Sequence, residues 1–277
     1  MQVVRTIADM KELRRKCGGS VGLVPTMGFL HEGHLNLARK AKSENAAAVV
    51  SIFINPTQFG PSEDLKSYPR DLDRDLALLE KVETDIVFVP SDKEIYPADY
   101  NTWVEVRGVT AKLEGKSRPT HFQGVTTVCN KLFNIVKPDR AYFGQKDAQQ
   151  AIVIQKMVAE LNMNLDIVVC PTVRESDGLA MSSRNTYLEK EERISAVVLY
   201  KSLCLAKDMY EKGERDAAVI KQAMHSLISG VAAAKIDYIS IADVVTLDEV
   251  DVIRGKVLVS LAVRLGKPRL IDNIILG

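Results

Sequence analysis

Two histidines stand three residues apart in the run P-T-M-G-F-L-H-E-G-H at residues 25–34. That spacing is close to one helical turn, so the imidazoles of His31 and His34 can face one ligand. Gly28 and Gly33 permit a tight turn and close backbone approach. The run follows a strand-like apolar stretch, 21–25, and leads into a helix expected over 33–44. A helix start offers unpaired N–H groups and the positive end of the dipole, which suits a phosphate. A neutral imidazole donates a hydrogen bond there, and a protonated one stabilises a leaving pyrophosphate. Zinc-protease spacing, H-E-x-x-H, is absent because this run is H-E-G-H.

Four further clusters carry polar chemistry. Gly144-Gln145-Lys146-Asp147 follows the expected strand 140–144. Lys146 suits a phosphate as a point charge. Asp147 suits a ribose hydroxyl, a helix cap or Mg²⁺. Of the adjacent pair Gln149 and Gln150, one must face the ligand. Met181-Ser182-Ser183-Arg184 forms a loop of hydroxyls and one cation, suited to gripping a triphosphate during transfer. Asn55-Pro-Thr-Gln58-Phe59-Gly60 offers two amides to a small polyhydroxy or carboxylate substrate, with Phe59 and Gly60 as pocket wall. Arg118 and His121 add cationic donors near a helix start. With Lys146 and Arg184 they would make a positive cleft for a small anion. Neither G-x-x-x-x-G-K-[ST] nor G-x-G-x-x-G occurs.

These groups need a scaffold. Short apolar runs at 21–25, 47–54, 85–90, 140–144 and 166–170 alternate with helical patterns at 33–44, 71–82, 125–136 and 148–161. Continuous apolar strands between helices predict an α/β fold, a Rossmann-like parallel sheet covered on both faces. Ligands then bind at the carboxyl ends of the strands, where the clusters lie. From about residue 176 the pattern changes to helices at 189–212 and 215–231, then strands at 237–242, 256–264 and 269–276. The expected domains are 1–175, the nucleotide- and substrate-binding part, and 176–277, a smaller α+β domain closing over the site. The segment 171–184 would be both hinge and part of the site.

Composition narrows the function class. The 277 residues carry 37 basic and 36 acidic side chains, a net charge of +1. This argues against nucleic-acid binding driven by charge. No apolar run approaches membrane-spanning length, and residues 1–15 lack the apolar core of a secretory signal. Cys17, Cys129, Cys170 and Cys204 form no metal or disulfide pattern, so small buried hydrophobes in a reducing cytoplasm are expected.

Taken together, the runs resemble the pantoate–β-alanine ligase (pantothenate synthetase) family over essentially the whole chain. P-T-M-G-x-L-H-x-G-H, N-P-x-Q-F, H-F-x-G-V-x-T-V, K-P-D-x-A-Y-F-G-x-K-D-x-Q-Q and R-E-x-D-G-L-A-M-S-S-R-N occur here in order. The resemblance implies an ATP-dependent ligase making pantothenate, a coenzyme A precursor. Pantoate carboxylate attacks the α-phosphorus of ATP, giving pantoyl adenylate and pyrophosphate; the β-alanine amine then displaces AMP. It implies a nucleotide site of Met27, Gly28, His31, His34, Gly144, Gln145, Lys146, Asp147, Val173, Met181, Ser182, Ser183 and Arg184. His34, His31, Lys146, Ser182, Ser183 and Arg184 are the catalytic set. Gln58 and Gln150 match the pantoate-binding glutamines, with Asn55 and Arg118 as further substrate contacts. Mg²⁺ is implied with ATP; Asp73 and Asp75 are candidate ligands, with Asp75 preferred. A cytoplasmic homodimer is implied, with no nucleic-acid or membrane partner. Departures at Thr57, Cys129 and Ala148 touch packing positions only. Two other functions compete: a nucleotidyltransferase of the same fold acting on a phosphate ester, and a non-catalytic nucleotide- or RNA-binding module. Paired Gln58 and Gln150 weigh against the first, near-zero charge with intact His34, Lys146 and Arg184 against the second.

Overall fold

A computed structural model describes residues 1–61 and 63–277. The chain divides into two compact units: residues 1–144 with 149–171, and residues 145–148 with 172–277. Residues 172–175, grouped with the first domain on sequence, pack in the second unit, as does the short turn 145–148.

The first unit runs β1 (Gln2–Val4), α1 (Ile7–Lys16), β2 (Val21–Thr26), α2 (Glu32–Glu44), β3 (Ala47–Ile52), α3 (Leu72–Lys81) and β4 (Ile86–Phe88). It continues through the short helices α4 (Asp92–Ile95) and α5 (Glu114–Ser117) to α6 (His121–Val136), β5 (Arg140–Gly144), α7 (Ala148–Glu160) and β6 (Asp166–Cys170). Its six strands are all parallel, in the order β1-β4-β3-β2-β5-β6. Every residue of β3 and β4 is buried, as unbroken apolar runs require when both faces of a sheet are covered. Strand order reverses between β2 and β5, and such a reversal opens a crevice at the strand carboxyl ends. The loop 27–31 leaves β2 at that point, and β5 ends there at Gly144.

Besides the short helices α4 and α5, β1 and α1 were not legible in this unit. β1 spans three residues, too few to show a period, and exists because Gln2, Val3 and Val4 pair with Ile86, Val87 and Phe88. α1 begins at Thr6, whose hydroxyl accepts from the Asp9 N–H at 3.1 Å.

The second unit adds α8 (Lys190–Ser195), α9 (Val198–Glu211), α10 (Ala217–Ser229), β7 (Ala234–Asp243), β8 (Val257–Leu265) and β9 (Arg269–Leu276). Its strands form an antiparallel sheet in the order β7-β8-β9. Leu199 and Leu203 of α9, with Ile220 and Met224 of α10, share one core with Val259, Leu261 and Val263 of β8. The single helix expected over 189–212 is two. At Ala196 and Val197 the backbone keeps helical φ near −60°, but the Leu199 N–H bonds to the Ala196 carbonyl three residues back. The turn is tightened, not reversed. Cys129 and Cys170 are buried as expected; Cys17 is half-buried and Cys204 exposed. Among the described residues no helix is long and apolar enough to cross a membrane.

Candidate active site

His31 is the N-cap of α2. Its Nδ1 accepts from the Gly33 N–H at 3.2 Å, and its own N–H donates to His34 Nδ1 at 3.3 Å. The two rings lie side by side, centroids 4.1 Å apart. With Nδ1 an acceptor in both, the ring proton of each imidazole sits on Nε2. The helix start therefore carries paired Nε2–H donors beside the positive dipole end.

The loop feeding this cap is held from α3. Gly28 and Phe29 both adopt left-handed backbone, with φ of +82° and +49°. Only glycine adopts it without strain, and Phe29 keeps it against a cost of about 1 kcal/mol. Asp75 supplies the compensation: its Oδ2 accepts from the Phe29 N–H and its Oδ1 from the Leu30 N–H, both at 2.7 Å. Arg74 lies over the Phe29 ring, 5.1 Å from the centroid. Asp75 is 1% exposed, and burial pushes its carboxyl above the usual range despite the two N–H donors. The preferred Mg²⁺ ligand thus has both oxygens engaged by backbone. Asp73 stands in the exposed first turn of α3. Among the described residues no three His, Cys, Asp or Glu side chains gather as a metal-binding group.

Gln58 is buried in a short 3₁₀ turn, Pro56–Gln58, where α6 presses directly on it. A Cβ at Gly124 would come within 2.5 Å of the Thr57 carbonyl oxygen, so only glycine allows that approach. Asn55, 1% exposed, is the hub. Its Nδ2 donates to Gln58 Oε1 and to the Gly124 carbonyl, both at 3.1 Å; its Oδ1 accepts from the Tyr96 hydroxyl at 2.9 Å. Gln58 Nε2 reaches Met27 Sδ at 3.2 Å. Met27 and Gln58, from different motifs, are therefore brought together. Tyr96 carried no signal in the sequence.

Arg118 and His121 differ from expectation. Arg118 makes two hydrogen bonds to the Glu63 carboxylate, at 2.6 and 2.5 Å, so its charge is balanced. It also donates to the Gln58 carbonyl at 3.3 Å. His121 Nδ1–H donates to the same carbonyl at 2.9 Å, and its Nε2 accepts from Arg118. Burial, with Arg118 beside it, drops the His121 pKa to about 4. The ring is neutral at pH 7 and adds no cation. Both residues hold the Gln58 turn. Of the two adjacent glutamines, Gln149 is buried and bonded to the Glu114 N–H and to the Val109 and Lys112 carbonyls. Gln150 remains half-buried, the one of the pair fit for a ligand.

In the second unit, Gln145, Lys146 and Asp147 form a 3₁₀ turn. Asn273 holds it, donating to the Gln145 and Lys146 carbonyls at 3.0 and 2.9 Å and accepting from Gln145 Nε2 at 2.9 Å. Lys146 Nζ lies 3.8 Å from the exposed Asp147. Within the segment 171–184, read as a hinge, residues 173–181 fold back as a hairpin: Met181 N–H donates to the Val173 carbonyl and Glu175 N–H to that of Leu179. Beyond it Ser182 caps a second 3₁₀ turn, Ser183–Tyr187, by accepting from the Arg184 N–H at 3.2 Å. Ser183 is buried, and Ser182 and Arg184 half-buried.

Comparison with known proteins gives a consistent set. The family model described as pantoate-β-alanine ligase matches residues 2–275. A pantothenate synthetase of Acetivibrio thermocellus is 56% identical over 278 residues, covering 99% of each chain. One from Herpetosiphon aurantiacus is 56% identical over 277 residues, covering 100% of each. Among crystal structures, pantothenate synthetase from Thermus thermophilus matches with a TM-score of 0.95 at 44% identity, over 99% of both chains. A pantoate-β-alanine ligase from Francisella tularensis, complexed with β-γ ATP and β-alanine, matches with a TM-score of 0.81 at 36% identity, covering 99% of this chain and 97% of that one.

Proposed function

The chain belongs to the pantoate–β-alanine ligase family, and from that premise we propose that it condenses (R)-pantoate with β-alanine in two steps. A carboxylate is a poor electrophile at neutral pH. Its oxygen attacks the α-phosphorus of ATP, pyrophosphate leaves, and the mixed anhydride carries AMP as a good leaving group. The β-alanine amine then attacks the acyl carbon, loses a proton, and AMP departs with the anhydride oxygen.

The observation that carries this reading is the imidazole pair, fixed by the α2 cap as two Nε2–H donors at a helix N-terminus. Such donors meet charge that develops on the phosphates during transfer. His34 and His31 take that role, with Met27 and Gly28 in the nucleotide segment. Gln58, and Gln150 from α7, orient pantoate. Asn55 and Arg118 act through Gln58. From the second unit, Lys146 would neutralise phosphate charge, Gln145 and Asp147 would complete the turn beside the ribose, and Val173 would offer backbone to adenine. Met181, Ser182, Ser183 and Arg184 would hold the triphosphate. The β-γ ATP and β-alanine with which the Francisella relative is complexed support this substrate set.

Mg²⁺ enters the proposal as the companion of ATP, neutralising phosphate charge. Asp75 does not fit as its ligand, and no step is routed through the metal. A homodimer in the cytoplasm completes the reading.

The test mixes protein, ATP, Mg²⁺ and pantoate, with and without β-alanine. Pyrophosphate and bound pantoyl adenylate are expected without the amine, then AMP and pantothenate once it is added. No pyrophosphate in either case overturns the reading. Pyrophosphate formed with a phosphate-ester acceptor and not with pantoate would point to a nucleotidyltransferase.

A further inference from the structure

We propose that two adjacent side chains of β9, Asp272 and Asn273, are positioning residues that set both nucleotide-binding segments of the second unit. The inference rests on the ligase reading, because it concerns where Lys146 and the Ser182–Arg184 loop are held.

β9 reads R-L-I-D-N-I-I-L, and after Arg269 at its start an acidic and an amide side chain interrupt an otherwise apolar run. Both are buried, at 2% and 4% exposure. Buried polar groups in an apolar strand are costly unless fully partnered. Successive residues of a strand point to opposite faces, so the pair reaches two segments at once. Asn273 grips the turn 145–147 by three hydrogen bonds, two of them to backbone carbonyls. Asp272 accepts from the two terminal Arg174 guanidinium nitrogens, at 2.6 and 3.0 Å, and from the Asn273 N–H at 2.8 Å. Arg174 in turn donates to the Gly178 carbonyl at 3.1 Å and stacks 4.2 Å above the Tyr200 ring. That closes the 173–181 hairpin, whose far end delivers Met181 and Ser182. A Cβ at Gly178 would fall 2.1 Å from Tyr200, so the hairpin turn is seated with no room to shift. One strand thus fixes the carbonyls on either side of Lys146 and the base of the phosphate loop.

The decisive variants are Asn273→Ala and Asp272→Asn, with Ser260→Ala as control. Ser260 sits opposite Asn273 on β8, is buried, and its hydroxyl has no partner. The readouts are thermal midpoint, direct binding of a non-hydrolysable ATP analogue, and the KM values for ATP and pantoate. Asn273→Ala is expected to weaken ATP-analogue binding and raise the ATP KM about tenfold or more. Its pantoate KM should stay within about twofold of wild type. Asp272→Asn keeps shape and removes the carboxylate charge that faces Arg174; it should lower kcat with less effect on ATP binding. Ser260→Ala should match wild type throughout. A merely structural pair would lower the thermal midpoint and leave the KM values of the folded fraction unchanged, which overturns the proposal. If wild type binds the analogue but forms no pyrophosphate from ATP and pantoate, the ligase reading fails. The analogue affinity of Asn273→Ala still decides the positioning role.

Discussion

Gln58 carries one amide, and each end of it is oriented by another residue. Asn55 Nδ2 donates to its Oε1, and its Nε2 leans on Met27 Sδ. Each end retains a second hydrogen or lone pair for a hydroxy acid. Replacing Gln58 by alanine is expected to raise the pantoate KM tenfold or more and move the ATP KM less than about twofold. Steady-state kinetics with each substrate varied would show it, and equal losses for both would place Gln58 elsewhere. A different outcome is expected at the residues proposed to handle charge. His34→Ala and Lys146→Ala should each slow adenylation by about 10²–10⁴, the range of positioned acid–base and electrostatic groups. Single-turnover pyrophosphate release measures this directly; wild-type rates in both variants would remove the site assignment.

Between elements, the decisive contact runs from α3 to the loop after β2. Asp75 stands in the first turn of α3 and gives both carboxylate oxygens to the N–H groups of Phe29 and Leu30. Hydrogen bonds to a charged group contribute about 1.5–3 kcal/mol each. Asp75→Ala strands two buried N–H donors and releases a left-handed Phe29, so it should cost about 3 kcal/mol or more. Urea unfolding at pH 7 reads that loss, and an unchanged midpoint would mean that the loop holds itself. α6 plays a similar part on the opposite flank of the same unit, since Gly124 lets its backbone touch the Gln58 turn.

For the molecule as a whole, His121 ties stability to pH. Its native pKa of about 4 lies below the ordinary value of 6.5. The stability it contributes is complete above about pH 6.5 and falls as pH drops towards about 4, because the unfolded chain binds the proton first. That difference amounts to about 3 kcal/mol by proton linkage. His121→Asn keeps a donor for the Gln58 carbonyl and removes the titration. Its loss of stability between pH 7 and pH 4.5 should be smaller than that of wild type by roughly that amount. Parallel pH profiles in urea unfolding would show that His121 does not carry the effect.

The parallel sheet was legible in the sequence, because apolar periodicity and turn residues are local properties, and the five ordered motifs carried the resemblance to the family whose model matches residues 2–275. Gln58 stood out as an amide beside a strand end; Gln150 was distinguished from Gln149 only by the family resemblance, and in the structure Gln149 is the buried, fully bonded one of the two. Other features depended on distant partners. β1 exists through pairing with β4, and the charge of Arg118 is balanced by Glu63. Asp75 looked like a metal ligand on an acidic helix face until folding brought it to the Phe29 and Leu30 amides. Asp272 and Asn273 appear in sequence as two polar residues inside a strand, and only the packed structure gives them Arg174 and the Lys146 turn as partners. Residue type and spacing determined the motifs that place this chain in its family. Tertiary structure decided which charged groups are neutralised by internal partners and which remain to meet a ligand, because the burial and pairing of a charge depend on residues far away in the chain.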